Sequence, residues 1–327
     1  TGEIKVGDLS VAETQLLSPG LSRRGFHLSY ATQQTTVGVY SLRGTPFYGI
    51  RQGLKMSVDE DDSVLGSSVR WVDREGRTGV HVAYLTGTED LSGSFASAGA
   101  GIASKGDAAG IGFTRIFGTG KVNGFLEAAV SNYDPDISDT DGSTRDQAIS
   151  AGAAWRAGQK LDYTLQVQRV GADFKSIGNT GATQNIESVS LGNGIHLEKH
   201  DIRLLLYYAQ DNLEGDTTIP TSQFVKVEAF DQVSLSDNFA AGLLVYRESL
   251  DTDDEPSGFI EEKLTTDHGA LDLTYSRSTW NLRPVYSTTS TEVESGLTTD
   301  TTLTETRLDL AYYPSRRFSL SLTLPQI

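Results

Sequence analysis

Cysteine is missing from all 327 residues, which excludes disulfide scaffolds, thiolate metal sites and cysteine nucleophiles. An oxidising compartment stays open, because many exported proteins avoid cysteine altogether. Proline is scarce, at 8 residues. Long apolar runs are missing too. The longest, such as Leu204 to Ala209, falls far short of the roughly 18 residues that a membrane-crossing helix needs. Cations are the minority charge, with 27 Lys and Arg against 43 Asp and Glu and a net charge of -16, so nucleic acid is not an expected partner. No signal peptide stands at Thr1; either it has been removed or the chain is part of something longer.

What the chain has is β structure with many turns. Glycine is abundant, at 34 residues, and Ser and Thr are plentiful. Leu161, Tyr163, Leu165 and Val167 share one strand face, while Asp162, Thr164, Gln166 and Gln168 share the other. Phe318, Leu320, Leu322 and Leu324 alternate in the same way with Ser319, Ser321 and Thr323. Such two-faced strands are too long for most soluble sheets. They suit a membrane barrel, whose strands need about 9–11 residues, apolar outward and polar inward. A mean hydropathy of -0.29 fits that reading, because only alternate residues meet lipid and the loops are polar.

The pattern predicts strands near 121–132, 147–157, 161–173, 185–198, 201–211, 222–235, 239–249, 266–276, 279–290, 302–313 and 317–326. Tight connections at 157–160, 199–200, 236–238, 277–278 and 314–316 alternate with long ones at 134–146, 175–184, 212–222, 250–265 and 291–301. This is the asymmetry of a barrel with short turns on the periplasmic side and long loops outside. Arg156, Lys160, Lys199, Arg277, Arg316 and Arg317 gather at the tight turns, and acidic runs occupy the long loops. In the first 120 residues the expected strands are 26–33, 35–44, 49–58, 63–73, 78–88, 93–104 and 108–118. Residues 1–25 form a strand, a plug or a periplasmic lead-in. The fold class is therefore all-β, a single antiparallel transmembrane β-barrel of about 16–18 strands over residues 26–327, in the outer membrane of a Gram-negative bacterium.

Candidate sites follow from that frame. Asp162, Gln166, Asp272, Thr274, Arg307 and Asp309 face the lumen and carry both signs of charge, so no strong ion selectivity is expected. Trp155, Tyr275, Trp280, Tyr312 and Phe318 lie beside tight turns and suit an interfacial aromatic girdle. Asp136, Asp139 and Asp141 form half of a calcium-loop pattern, without its distal Glu. A loosely held divalent cation in that outer loop is the one cofactor weighed, against a plain solvated loop. The expected partners are membrane lipid and lipopolysaccharide, with a protein partner or plug in or on the barrel.

Other patterns carry less. His196-Leu197-Glu198-Lys199-His200 lacks the Glu directly after the first His that a zinc protease helix needs and reads as turn residues. Asp267-His268 at a loop rim has no convincing nucleophile beside it, so the chain is not expected to be an enzyme. Gly99-Ala100-Gly101, with Ala96, Ala98, Ala103, Ala109, Gly110 and Gly112, makes a smooth-sided hairpin. Crowding by neighbouring strands explains it, or a close-packing surface for a plug or partner. Gly118-Thr119-Gly120 is a turn.

Two stretches carry a resemblance. Ser131-Asn132-Tyr133-Asp134 leads through an acidic loop to Asp146-Gln147-Ala148, and Val170-Gly171-Ala172-Asp173-Phe174-Lys175-Ser176-Ile177-Gly178 is followed by Gln210-Asp211-Asn212-Leu213. They resemble barrel segments of large bacterial surface proteins, including the giant translocon barrels of gliding bacteria. Val6-Gly7-Asp8 and Arg23-Arg24-Gly25-Phe26 are similar to strand openings in fimbrial ushers. The resemblance implies a barrel serving secretion, assembly or anchoring of surface structures, and it supplies no catalytic residues. The end, Leu324-Pro325-Gln326-Ile327, lacks the aromatic residue on which many outer-membrane barrels finish. The functional expectation is a conduit or anchor for a surface or secretion assembly. The alternatives are a general diffusion porin for small solutes and a soluble, secreted β-rich adhesin.

Overall fold

The computed structural model describes residues 1–44, 62–90, 103–140, 142–177, 179, 183–294, 300–315 and 318–326. Among them are seventeen strands and no helix. They are β1 (Gly2–Val11), β2 (Leu21–Ala31), β3 (Thr35–Arg43), β4 (Ser63–Val72), β5 (Thr78–Asp90), β6 (Ala103–Phe117), β7 (Val122–Asp134), β8 (Thr144–Arg156) and β9 (Leu161–Val170). They continue with β10 (Ile186–His196), β11 (His200–Asp211), β12 (Thr221–Ser236), β13 (Phe239–Asp253), β14 (Lys263–Ser276), β15 (Trp280–Val293), β16 (Thr301–Ser315) and β17 (Phe318–Gln326). From residue 121 onward every expected strand is present with its ends moved by four residues or fewer. Several strands run further toward the long loops than the apolar pattern does. The expected strand at 49–58 lies outside the described residues, as does that at 93–104 except for its last two positions, which open β6.

The strands form one sheet of order β1-β10-β11-β12-β13-β14-β15-β16-β17-β2-β3-β4-β5-β6-β7-β8-β9, with β1–β2 and β9–β10 as further pairings. The order from β2 to β17 is thus cyclic, that of an antiparallel transmembrane β-barrel. Neighbours in sequence pair antiparallel through hairpins, as in Leu204↔Ala229 between β11 and β12 and Val82↔Ile111 between β5 and β6. Gly76, Gly118, Gly120 and Gly158 sit in tight turns with φ between 62° and 85°, a region that L-residues with a side chain seldom adopt.

One face of these strands exposes large apolar side chains. Phe26 and Leu28, Val82 and Tyr84, Leu204 and Leu206, and Leu243 and Val245 alternate along β2, β5, β11 and β13, and all are exposed. Soluble monomers rarely expose contiguous apolar patches larger than a few hundred Å². Strand after strand of leucine and valine on one face is instead what hydrocarbon solvates.

The chain divides into two compact units: Thr1–Ala153 with Val167–Glu187, and Ala154–Gln166 with Ser188–Ile327. In the first unit, the face opposite the exposed apolar stripe carries a buried cluster. Leu42, Val64, Ala83, Leu85, Ala108, Ala129 and Ala148 line it from successive strands, and Leu16, Leu17, Phe174 and Ile177 fill it from two connecting segments. Residues 1–25 therefore hold β1, one of those inward segments and the start of β2. In the second unit, Ala209 is the one buried hydrophobic residue among those described.

Candidate functional site

In the second unit, the face opposite the apolar stripe carries ionised groups, concentrated next to the tight turns. Arg156 ends β8, Asp162 lies one residue into β9, and His196 ends β10. Asp201 and Arg203 open β11. Strand pairing sets these groups in a line of alternating sign. Arg156 Nε lies 3.2 Å from Asp162 Oδ1, Asp162 Oδ2 lies 2.9 Å from His196 Nε2, His196 Nδ1 lies 2.7 Å from Asp201 Oδ1, and Arg203 Nη2 donates to Asp201 Oδ2 at 2.8 Å. Only the protonated imidazole has two N–H donors, so that form satisfies both carboxylates at once. Gly194 leaves room for the ring, since a Cβ there would come 3.3 Å from His196 Nε2.

The same alternation recurs on β14 to β16. Arg283 Nη2 donates to Asp272 Oδ2 at 3.0 Å, and Arg307 Nε donates to Asp309 Oδ2 at 3.1 Å. Arg283 and Asp309 are direct cross-strand partners. A Cβ on Gly242 would lie 2.8 Å from Asp272 Oδ2, so glycine makes the space that the carboxylate uses. Of the lumen residues read from the sequence, Asp162, Asp272, Arg307 and Asp309 enter these ion pairs. Gln166 and Thr274 share their faces with Asp162 and Asp272 by strand alternation. The reading missed the partners His196, Asp201, Arg203 and Arg283, because cross-strand register, not local spacing, brings them in. His196 is part of this line rather than a simple turn residue. His200, grouped with it in sequence, pairs with Asp231 at 2.9 Å on the opposite face.

The first unit presents a different surface. The connection between β1 and β2, residues 12–20, folds onto the face opposite the apolar stripe. It closes a short turn in which Ser18 N donates to Thr14 O at 2.9 Å and Leu17 N to Thr14 Oγ1 at 3.2 Å. Glu127 on β7 accepts from the backbone N–H groups of Gln15 at 3.2 Å and Leu16 at 2.7 Å. Ser176 Oγ donates to Leu17 O at 2.8 Å, and Asn179 Nδ2 reaches the carbonyls of Gln15 and Leu16. Glu13 Oε2 lies 2.8 Å from His81 Nε2 on β5. Leu17 sits where a side chain on Gly110 would otherwise stand, since a Cβ there would come 2.8 Å from Leu17 Cδ1. Of the small residues singled out in the sequence, Gly110 thus packs against an inserted segment of this same chain; Ala96, Ala98 and Gly99 to Gly101 lie outside the described residues.

Trp155, Tyr275, Trp280 and Tyr312 all lie on the apolar face next to tight turns. Trp155 stacks on Tyr163 with centroids 5.4 Å apart, Trp280 meets Tyr312 at 4.4 Å, and Arg277 lies 5.8 Å from the Tyr275 ring. The side chain of Phe318 lies outside the described residues, as does Asp141. Asp136 accepts from the amide and hydroxyl of Ser138 at 3.0 Å and 2.5 Å, and those bonds hold its carboxyl below the usual carboxylate range. Among the described residues no group of three or more His, Asp or Glu side chains could hold a metal ion. Asp267 and His268 point to opposite faces of β14. Asp267 meets Arg247 at 3.4 Å, while His268 Nδ1 lies 2.8 Å from Thr289 Oγ1 and its ring stacks on Tyr246. They do not form an acid–histidine dyad.

No protein-family model matches the chain, and no curated protein matches it in sequence. Among solved structures it is similar to the copper transporter OprC, with a TM-score of 0.49 and 11% identity over 89% of this chain and 56% of that one. It is also similar to the siderophore receptor PirA from Acinetobacter baumannii, with a TM-score of 0.48 and 9% identity over 93% of this chain and 59% of that one. The chain thus spans a little over half the length of each. Neither is a gliding translocon or a usher.

Proposed function

We propose that this chain is a Gram-negative outer-membrane barrel that passes small polar solutes passively. The paired charges of the second unit carry the reading. Nine ionised groups on a face that no inserted segment covers among the described residues favour contact with water, since ion pairs buried without it cost more in desolvation than they return. Their alternating sign neither attracts nor repels one class of ion strongly. The conduit reading is thereby favoured over an anchoring role for a secretion assembly, which no observed feature calls for. A soluble adhesin would leave the apolar stripe in water.

The test is single-channel recording of the purified, heat-modifiable protein in planar bilayers. A stable conductance with a cation-to-anion permeability ratio near unity is expected. A folded barrel that inserts and stays silent would overturn the conduit and return the anchoring role.

A further inference from the structure

Between the 12–15 stretch and the strand wall of the first unit lies a cavity of about 380 Å³, within the range of small-ligand pockets, about 300–1,000 Å³. Its wall is set by strand register. Arg70 on β4 stands opposite His81 on β5, His81 opposite Gly112 on β6, and Gly112 opposite Glu127 on β7. The row one step toward the tight turns brings Gly79, Thr114 and Phe125 to the same wall. Gly112 gives the space, whereas the room at Gly79 is taken by the Thr114 side chain. A Cβ on Gly112 would meet nothing nearer than 3.9 Å, so the cavity is not demanded by a crowded backbone at that position.

The charges are placed unevenly. Glu127 is 7% exposed and the Glu13 side chain 5%. Among the described residues neither carboxylate has a Lys or Arg ion-pair partner. Glu127 is met by two backbone N–H groups, and Glu13 by one imidazole with the Tyr40 hydroxyl beside it. Buried carboxylates so provisioned favour a positive group brought to them. Arg70 is exposed, so its guanidinium stands at the rim and suits a carboxylate. Phe125, two residues from Glu127 on β7, adds an apolar surface to the wall.

The geometry points to a binding site for a small zwitterion of the amino-acid or dipeptide class, its ammonium toward Glu13 and Glu127 and its carboxylate toward Arg70. This deepens the conduit reading by naming a solute class. The experiment keeps the two apart, because binding in detergent needs no conductance. The dipeptide Ala-Phe is titrated calorimetrically into the detergent-solubilised barrel, alongside N-acetyl-Ala-Phe and maltose. Saturable binding of Ala-Phe is expected, at least tenfold weaker after N-acetylation and at least tenfold weaker with Arg70→Gln. Gly112→Leu, which fills the cavity, should abolish it in a protein that still shows heat-modifiable migration. If that variant fails to fold, Arg70→Gln at the exposed rim decides. No saturable heat with Ala-Phe, equal binding of the acetylated peptide, preference for maltose, or indifference to Arg70→Gln would each overturn the proposal.

Discussion

The two units share one strand pattern on their apolar face and differ on the other. In the first, Ala83, Ala108, Gly110, Ala129 and Ala148 form a smooth wall, and Leu16, Leu17, Phe174 and Ile177 are pressed against it. In the second, the corresponding face keeps long polar and aromatic side chains. Lys226 lies 4.4 Å over Tyr246, Tyr246 stacks on His268 at 4.7 Å, and Arg203 pairs with Asp201. Small residues on a strand leave their space to be filled by another part of the chain, whereas large charged ones fill it themselves and stay in water. A barrel can therefore be packed like a globular core along one stretch and open along another, without any change in how its strands meet lipid.

The largest effect that tests this contrast is on stability. Phe174 is fully buried, and Phe174→Ala should cost about 3–5 kcal/mol, the range for truncating a buried Phe. Phe230→Ala on the second unit removes a ring that is only partly buried and has Arg203 5.9 Å from its centroid, so its cost should be well under half of that. Guanidinium unfolding in detergent, followed by circular dichroism, measures both. Equal costs would mean that the two inner faces are packed alike, and the contrast would fail.

A smaller effect concerns how the inward turn is fastened. Glu127→Ala leaves the N–H groups of Gln15 and Leu16 without their acceptor, a loss of about 1–3 kcal/mol for buried donors left unmet. Because the turn also hangs on Ser176, Asn179 and the Leu17 packing, the barrel should remain folded while the 12–20 segment loosens. Limited proteolysis should then cut within 12–20 faster than in the parent protein, with cleavage elsewhere unchanged. Unchanged protection of 12–20 would show that Glu127 does not fasten it.

These contrasts were unequally visible in the sequence. Period-two alternation is local, and it placed the strands from residue 121 onward because a lipid-facing side chain needs no partner in the chain. The inward turn could not be read that way. Leu16-Leu17 looks like a short apolar pair between strands, and Phe174 and Ile177 look like loop residues; their contacts link positions more than a hundred residues apart. One trace was legible: the small residues around Gly110 were open to two readings, crowding by neighbouring strands or a close-packing surface. The charged line was half visible. Asp162, Asp272, Arg307 and Asp309 follow from strand parity, but His196 was hidden by its place at the end of a strand, where it passed for a turn residue. Only the pairing of β9, β10 and β11 shows that it stands between two carboxylates.

The smallest expected effect tests whether that line faces the path of solutes. Arg307→Gln removes one cation from the second unit and leaves Asp309 without its 3.1 Å partner. Both side chains are partly exposed, so salt screens the pair and the unfolding midpoint should not move measurably. Ion selectivity should move, because the loss of one fixed cation from a confined aqueous space raises the local concentration of mobile cations. The reversal potential in a potassium chloride gradient should shift toward the potassium equilibrium potential, and the shift should shrink as salt is raised. The same measurement on Glu127→Gln supplies the contrast. That carboxylate is nearly buried in the cavity wall and held by two backbone N–H groups, so its neutralisation should move the reversal potential less than Arg307→Gln does. A shift of equal size from both variants would place the two carboxylates on one aqueous path and remove the distinction between a packed and an open face.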